Sequence, residues 1–498
     1  MEYKYLNKVR TEELVDEIKR RLGVRLIVTD VMPESAEDGA MRLYSGETDV
    51  TFAQSHIYRY DATEAIWEDV TSDNDKYPIA WDVELTQAEY DALPDDKNTD
   101  DKNYYITDNE EETIVYTWII DPDETDSYDR VIYADDAVGM TPASMGNTSF
   151  SYGSWEDTFF MPRPCMLKSD GTVDYYLDPN DYSKKENGAP SDIADPNYDG
   201  NAMIEWGLIW FSYDPDAKKF SCSNQQVDDS YDCPCNKDVN GEIIPHFYTA
   251  IYNGTGIDTM RSLSGIALTS ENGNGGTGGQ DEIDRAVANN TTSDIEWYTG
   301  VWCDRMLINA LLILISHSTD SQGKFGRGMD NNKDSTTAQA LKESYITGTM
   351  NTRGLFYGDI NDGYAPVKVF GMENWWGCVW NRIAGLRGVT NGYKYKLTQP
   401  YEISGLDYDT LEVTKPSSGD ISECTFGEFG LLPIATEGSS STYYADTFHN
   451  GTGYALVGDC SGSGYNCGAF ALGLHGAFFD SSWSVSASLS CKPLKSRF

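Results

Sequence analysis

The sequence predicts an α+β fold, with small β-rich modules at the N-terminus and a larger mixed domain after them. Three observations carry this. Two segments place apolar residues at helical spacing: Leu14, Ile18 and Leu22 near the start, and Trp302, Met306, Leu307, Ala310, Leu311 and Leu314 further on. The C-terminal segment alternates apolar and small residues with period two, the signature of strands. Finally, 45 Gly and 33 Tyr among 498 residues suit strands joined by many turns.

In chain order, Thr11 can cap a first helix, Glu12 and Glu13 favour its positive end, and Gly23 stops it. A strand follows at Val24–Thr29. Aromatic and aliphatic residues alternate around Gly46 from Leu43 to Val70, predicting hairpins. Leu85–Pro94 reads as a short amphipathic helical turn and Tyr104–Asp108 as a strand. This divides the chain into an attachment or oligomerisation segment (1–30), a small β module (31–75), an acidic α/β module (76–140) and a main domain (141–498). Within the last, Trp297–Ser316 and Thr336–Tyr345 are predicted helices and Glu271–Gly279 a loop. Near the end, Phe470, Leu472 and Leu474 should face inward, with Ala471, Gly473 and His475 outward. In Trp483–Cys491 the residues Trp483, Val485, Ala487, Leu489 and Cys491 should face inward and the serines outward. The join Gly476–Ser482 makes these two antiparallel strands.

Charge restricts the function classes. The chain carries 37 Lys and Arg against 80 Asp and Glu, a formal net charge of −43. Duplex nucleic acid and anionic membrane surfaces both need surplus cations, so neither is an expected partner. Residues 61–140 hold 25 acidic against 4 basic residues, whereas 438–498 hold three of each. The acidic block reads as a solvated, repulsive surface, and it lacks the spaced aspartates of a calcium loop. Met1–Arg21 lacks the apolar core of a signal peptide, and Met306–Ile315 is too short to span a bilayer, so neither secretion nor membrane insertion is expected.

Few residues point to catalysis. The five histidines (His56, His246, His317, His449 and His475) form no His-Glu-x-x-His pair, and His317 suits a helix C-terminus. Cys233-Pro-Cys235 is too tight for a zinc knuckle, and the ten cysteines read as free thiols. No catalytic residue, metal or cofactor is expected. From Gly438 to Ser482 there is no Lys, Glu, Gln, Met or Trp, the set that triplets ending in C cannot encode. Such a gap is expected where codons of the AAC type have been randomised at their first two positions.

Three stretches extend this reading. Val367–Trp380 contains Gly371-x-x-Asn374-x-x-Gly377-x-Val379-Trp380 and resembles the central element of C-type-lectin-like domains of the formylglycine-generating-enzyme type. Trp483–Leu494 resembles the last strand of variable proteins of diversity-generating retroelements. Leu43–Val70 and Leu85–Asp108 resemble small modules of tailed-phage fibre and receptor-binding proteins. The resemblance implies a C-terminal C-type-lectin-like domain with a diversifiable ligand-binding patch at about 455–490. Its contact residues would be Asp459, Ser461, Tyr465, Asn466, Ala471, Gly473, His475, Gly476, Phe479, Asp480, Ser482 and Ser484, supported by Trp375, Trp376, Trp380, Phe470, Leu472, Leu474 and Trp483. It further implies a virion location, a host-cell receptor (glycan or protein), tail-protein partners for the N-terminus and a homotrimer. The alternatives are a structural or decoration protein with weak glycan adhesion, and an oxidase of the formylglycine-generating type using Cys460 and Cys467.

Overall fold

The computed structural model describes residues 113–498 apart from 147–148, 257, 267–277, 330–344, 362–364, 412, 428–429, 461–462, 464–466, 480, 483 and 496–498; before residue 113 it describes six strands. The chain divides into two units, Met1–Glu112 and Thr113–Phe498. The expected helices near the start, at Leu85–Pro94 (but for Leu85, which ends a strand) and at Thr336–Tyr345 (but for Tyr345) lie outside the described residues.

In the first unit Leu26–Thr29 pairs in parallel with Met41–Tyr44, and Ile57–Asp61 and Ile66–Asp69 continue the sheet antiparallel. Asp82–Leu85 and Asn103–Ile106 form a separate parallel pair. The stretch expected as one module over 76–140 is shared: Val115–Ile120 and Val131–Asp135 pair inside the second unit, with Lys219–Ser223 and Trp210–Asp214 completing a four-stranded sheet.

Two larger sheets organise the second unit. The seven-stranded sheet runs Asp181–Lys185, Val173–Asp178, Arg163–Leu167, Asn201–Trp206, Phe247–Ala250, Leu489–Pro493 and Ile295–Thr299, antiparallel throughout. The eight-stranded sheet runs Asp409–Leu411, Gly392–Tyr395, Trp380–Val389, Tyr454–Val457, Leu472–Gly473, Thr447–His449 and Gly419–Asp420, and Val485–Ser486 pairs in parallel with Trp380 and Asn381. Gly300 joins the two sheets: its N–H donates to Ser488 O at 2.7 Å, and its carbonyl accepts from Ala384 N at 2.9 Å.

The expected α+β class is therefore corrected to a β-rich fold. Among the described residues the α-helices are Gly279–Val287, Trp302–Ser316 and Ser321–Phe325, against more than thirty strands. This strand order by itself does not establish a lectin-like fold. The predicted helix Trp297–Ser316 begins later, because Trp297–Thr299 belongs to a strand paired with Leu489–Pro493 and Gly300 ends it. From Trp302 to Ser316 every residue is buried. A helix covered all round is core filling for the sheets and not a layer of its own.

The C-terminal alternation also has a different setting. Leu472–Gly473 and Val485–Ser486 do not pair with each other: the first lies between Thr447–His449 and Tyr454–Val457, the second beside Trp380. Val485, Ala487, Leu489 and Cys491 are buried as expected, but Ser486 and Ser490 are buried too. Ala487, Leu489 and Cys491 pack with Cys165, Leu167, Met203 and Trp297. On the other face the long helix supplies polar cover. Asp304 accepts from Ser490 Oγ at 3.2 Å and lies 3.0 Å from Lys492 Nζ. Burial would disfavour the Lys492 ammonium, yet Asp304 holds its pKa above the usual lysine value.

This pair yields a stability prediction. Lys492→Ala leaves a buried carboxylate unpaired and should cost about 3–5 kcal/mol in urea unfolding. Adding Asp304→Asn should recover most of the loss; equal instability of the single and double variants would show that the pair does not hold this strand.

Candidate functional site

The site is built on the first half of the long helix. Asn309, the polar residue that interrupts its apolar run, ties two segments together: Trp375 Nε1 donates to its Oδ1 at 2.9 Å, and its Nδ2 donates to Ala469 O at 2.6 Å. Arg305 donates to Trp375 O at 2.7 Å and lies over that indole at 3.9 Å. Full burial brings the Arg305 guanidinium down to about 9. Asp446, also buried, accepts from Phe470 N at 2.8 Å and from Gln322 Nε2 at 3.0 Å, and burial holds its carboxyl well above the usual range. The segment 469–475 is thus seated by polar ties from beneath. Trp376 is also tied down, donating to Gly326 O at 3.1 Å. The turn after it needs Gly377, whose φ is +85° and where a Cβ would stand 2.9 Å from Gly328 Cα.

On this base two histidines meet. Thr447–His449 and Leu472–Gly473 run parallel with His449 opposite Gly473. Gly473 has no side chain, and the His475 ring occupies that space: a Cβ there would come within 3.0 Å of Cε1 and 3.1 Å of Nδ1. The two imidazole centroids are 5.3 Å apart, and Trp380 meets both edge-on at 5.9 and 6.1 Å. Asp459 adopts a left-handed φ of 54°, which aspartate tolerates. Its Oδ1 accepts from Cys460 N at 2.7 Å and Ser463 Oγ at 2.5 Å. Among the described residues its Oδ2 is buried without a hydrogen-bond partner, 3.9 Å from His449 Nε2. Burial and the neighbouring His449 push the His475 pKa below the ordinary histidine value, while Asp459 pulls the other way.

The rim is aromatic. Phe478 packs on Tyr454 at 4.8 Å and lies so close to Gly279 that a Cβ there would meet its ring at 2.5 Å. Gly279 N–H donates to Phe478 O at 2.8 Å, fixing the turn to the helix Gly279–Val287, which begins at the last residue of the expected loop Glu271–Gly279. Phe479 projects from this turn, 71% exposed.

The expected contact residues fall into three groups. His475 and Phe479 are exposed, and Gly476, Ser482 and Ser484 are partly so, the two serine hydroxyls 3.0 Å apart. Ala471, Gly473 and Asp459 are buried, which corrects the outward assignment. The His475 ring and Trp380 close over Gly473, so this face of the strand does not reach solvent. Ser461, Tyr465, Asn466 and Asp480 lie outside the described residues, as does Trp483. The supports Trp376, Trp380, Phe470, Leu472 and Leu474 are buried, and Trp375 is partly so. His449 had no role in the sequence reading; its only signal there was the outward position after buried Phe448.

Other candidate centres are less suited to chemistry. Cys460 and Cys467 are free thiols; Cys467 Sγ donates to Cys460 O at 3.3 Å, and burial pushes the Cys460 thiol up to about 12. A thiol held so high is a poor nucleophile. Cys235, Cys303 and Asp304 bring their ligand atoms within 4.8 Å of one another. Lys492 Nζ already neutralises Asp304 and lies 3.6 Å from Cys303 Sγ, so a cation would have to displace an ammonium. A cavity beside them, lined by Asn253, Asn374, Asn381 and Arg305, has a volume of about 30 Å³. That holds a water or two and no organic substrate.

The histidine geometry is testable. In proton NMR, His475 should titrate below an ordinary histidine, and His449→Gln should raise its midpoint. Gly473→Ala should move the His475 ring off Trp380, seen as a lost ring-current shift, with little change in melting temperature because His475 is exposed. An unchanged shift would place the ring elsewhere.

Among the described residues no helix is long and apolar enough to cross a membrane. No protein-family model matches the chain, and no curated protein matches it.

Proposed function

We propose that this chain is the host-attachment protein of a tailed-phage particle, without enzymatic activity, and that it meets a cell-surface receptor with the surface around His475, Gly476, Phe479, Ser482 and Ser484. One observation carries the reading: these residues gather on an exposed, charge-poor surface whose underlying residues are buried and tied down. Aromatic, imidazole and hydroxyl groups offer stacking and hydrogen bonding with little rotamer freedom to lose, as in antibody paratopes. The resemblance to phage fibre modules and to variable proteins points the same way. Three copies at a fibre tip would strengthen weak single contacts by avidity. Buried Ala471 and Gly473 would tolerate far less diversification than the exposed positions.

The test is binding of the labelled full chain to cells of the host. His475→Ala combined with Phe479→Ala should weaken binding at least about tenfold with unchanged melting temperature, since both are outward. Undiminished binding would overturn the assignment. Diversification is tested separately at the locus, which should hold a near-copy of the DNA for residues 455–490 with adenines at the variable codons.

A further inference from the structure

The histidine pair and the unsatisfied carboxylate beside it form a second feature of this surface, with a chemistry of its own. Asp459 Oδ2 is buried without a hydrogen-bond donor among the described residues, and its side chain is only 2% exposed. An ionised carboxylate oxygen left this way costs free energy unless a cation faces it. The nearest candidate within the protein is His449, at 3.9 Å from Nε2 to Oδ2, which is beyond hydrogen-bond reach. His475 stands across from His449, with the two ring centroids 5.3 Å apart.

We propose that His449, Asp459 and His475 form a binding site for a divalent cation of the zinc class, with the fourth coordination position open to solvent. The residue types suit it: two imidazoles and one carboxylate are a ligand set preferred by zinc over calcium or magnesium. The spacing suits it as well. With metal–nitrogen bonds of about 2.1 Å in tetrahedral geometry, two ligating imidazoles have ring centroids roughly 5 Å apart. The observed separation is 5.3 Å. A nitrogen and an oxygen on the same ion would be about 3.3 Å apart, so His449 and Asp459 need to close by a little over half an ångström. His475 is exposed, and its ring has to turn to bring a nitrogen to the ion, since the ligand atoms of the three residues do not all lie within 4.8 Å of one another as they stand. Asp459 is held through Oδ1 by Cys460 N and Ser463 Oγ, which leaves Oδ2 for the metal and fixes its direction. Trp380 walls the site on its apolar side.

An open position on an ion at the proposed contact surface could accept an oxygen from a bound partner, but cation binding itself does not depend on the receptor reading. Of the competing clusters, Cys235, Cys303 and Asp304 already hold the Lys492 ammonium. The broad groove around Asp135, Asp136, Asp214 and Asp228 is an acidic surface with nothing further to mark a ligand.

The experiment is titration of the full chain with zinc chloride by calorimetry at pH 7.5, and with cobalt(II) followed by visible absorption. One equivalent should bind, with the intense visible bands of a tetrahedral cobalt site and no thiolate charge-transfer band. His475→Ala and the near-isosteric Asp459→Asn should each lower affinity at least about tenfold, and His475→Ala should leave the melting temperature of the metal-free protein unchanged. No binding, binding unaffected by both variants, or a thiolate charge-transfer band would overturn the site; the last would place the ion on Cys460 or the buried cysteines. The two proposals fail separately. Cell binding lost in the His475→Ala, Phe479→Ala variant without any metal uptake overturns only the cation site. Metal uptake with undiminished cell binding overturns only the receptor surface.

Discussion

The contact between Asp304 and Lys492 is the constraint on which the second unit depends. One partner comes from the central helix and the other from the last strand of the chain. A buried ion pair contributes little net stability, because desolvating both charges offsets most of their attraction. Its effect is on arrangement: a Lys492 displaced from Asp304 leaves two charges buried apart, so the strand tolerates no slip in register. Among the described residues that strand is what links Phe247–Ala250 to Ile295–Thr299 in the sheet. The sheet therefore closes only when Leu489–Pro493 is in place, and with it the helix on which the neighbouring segments rest.

From this base a chain of polar ties leads outward to the surface. Asn309 and Asp446 hold Ala469 and Phe470, the strand Leu472–Gly473 follows, and His475 comes after it. Buried polar groups of this sort are costly when unpaired, so a satisfied network specifies one arrangement where an apolar core would allow several. The exposed residues at its end can then differ in identity without disturbing what lies beneath. Rigid support below and open valence above is what a recognition surface needs, whether it meets a receptor directly or through an ion.

Much of this was legible in the alternation of the C-terminal segment, though only on one side. Leu472, Leu474, Val485, Ala487, Leu489 and Cys491 are buried as their spacing requires. The small residues between them were read as solvent-facing, and Ala471, Gly473, Ser486 and Ser490 are buried. Period two separates the faces of a strand but does not say whether the second face is covered, and small neutral side chains fit either setting. The long helix was recognisable by its periodicity, and its start was displaced because Trp297–Thr299 suits helix and strand alike until a partner strand decides. The α+β expectation failed for the same reason: a few strongly periodic helices are easier to see than many short strands, some only two residues long.

The sequence alone determined which residues would be apolar core, where the acidic charge would lie and that the last segment would be neutral, since each follows from side-chain chemistry and local period. Only the tertiary structure decided that His449 meets His475 over Gly473, that Asp459 is buried beside them, and that the serine face of the last strand is closed by Asp304. Those juxtapositions join residues far apart in the chain through strand order and register, which no local pattern encodes.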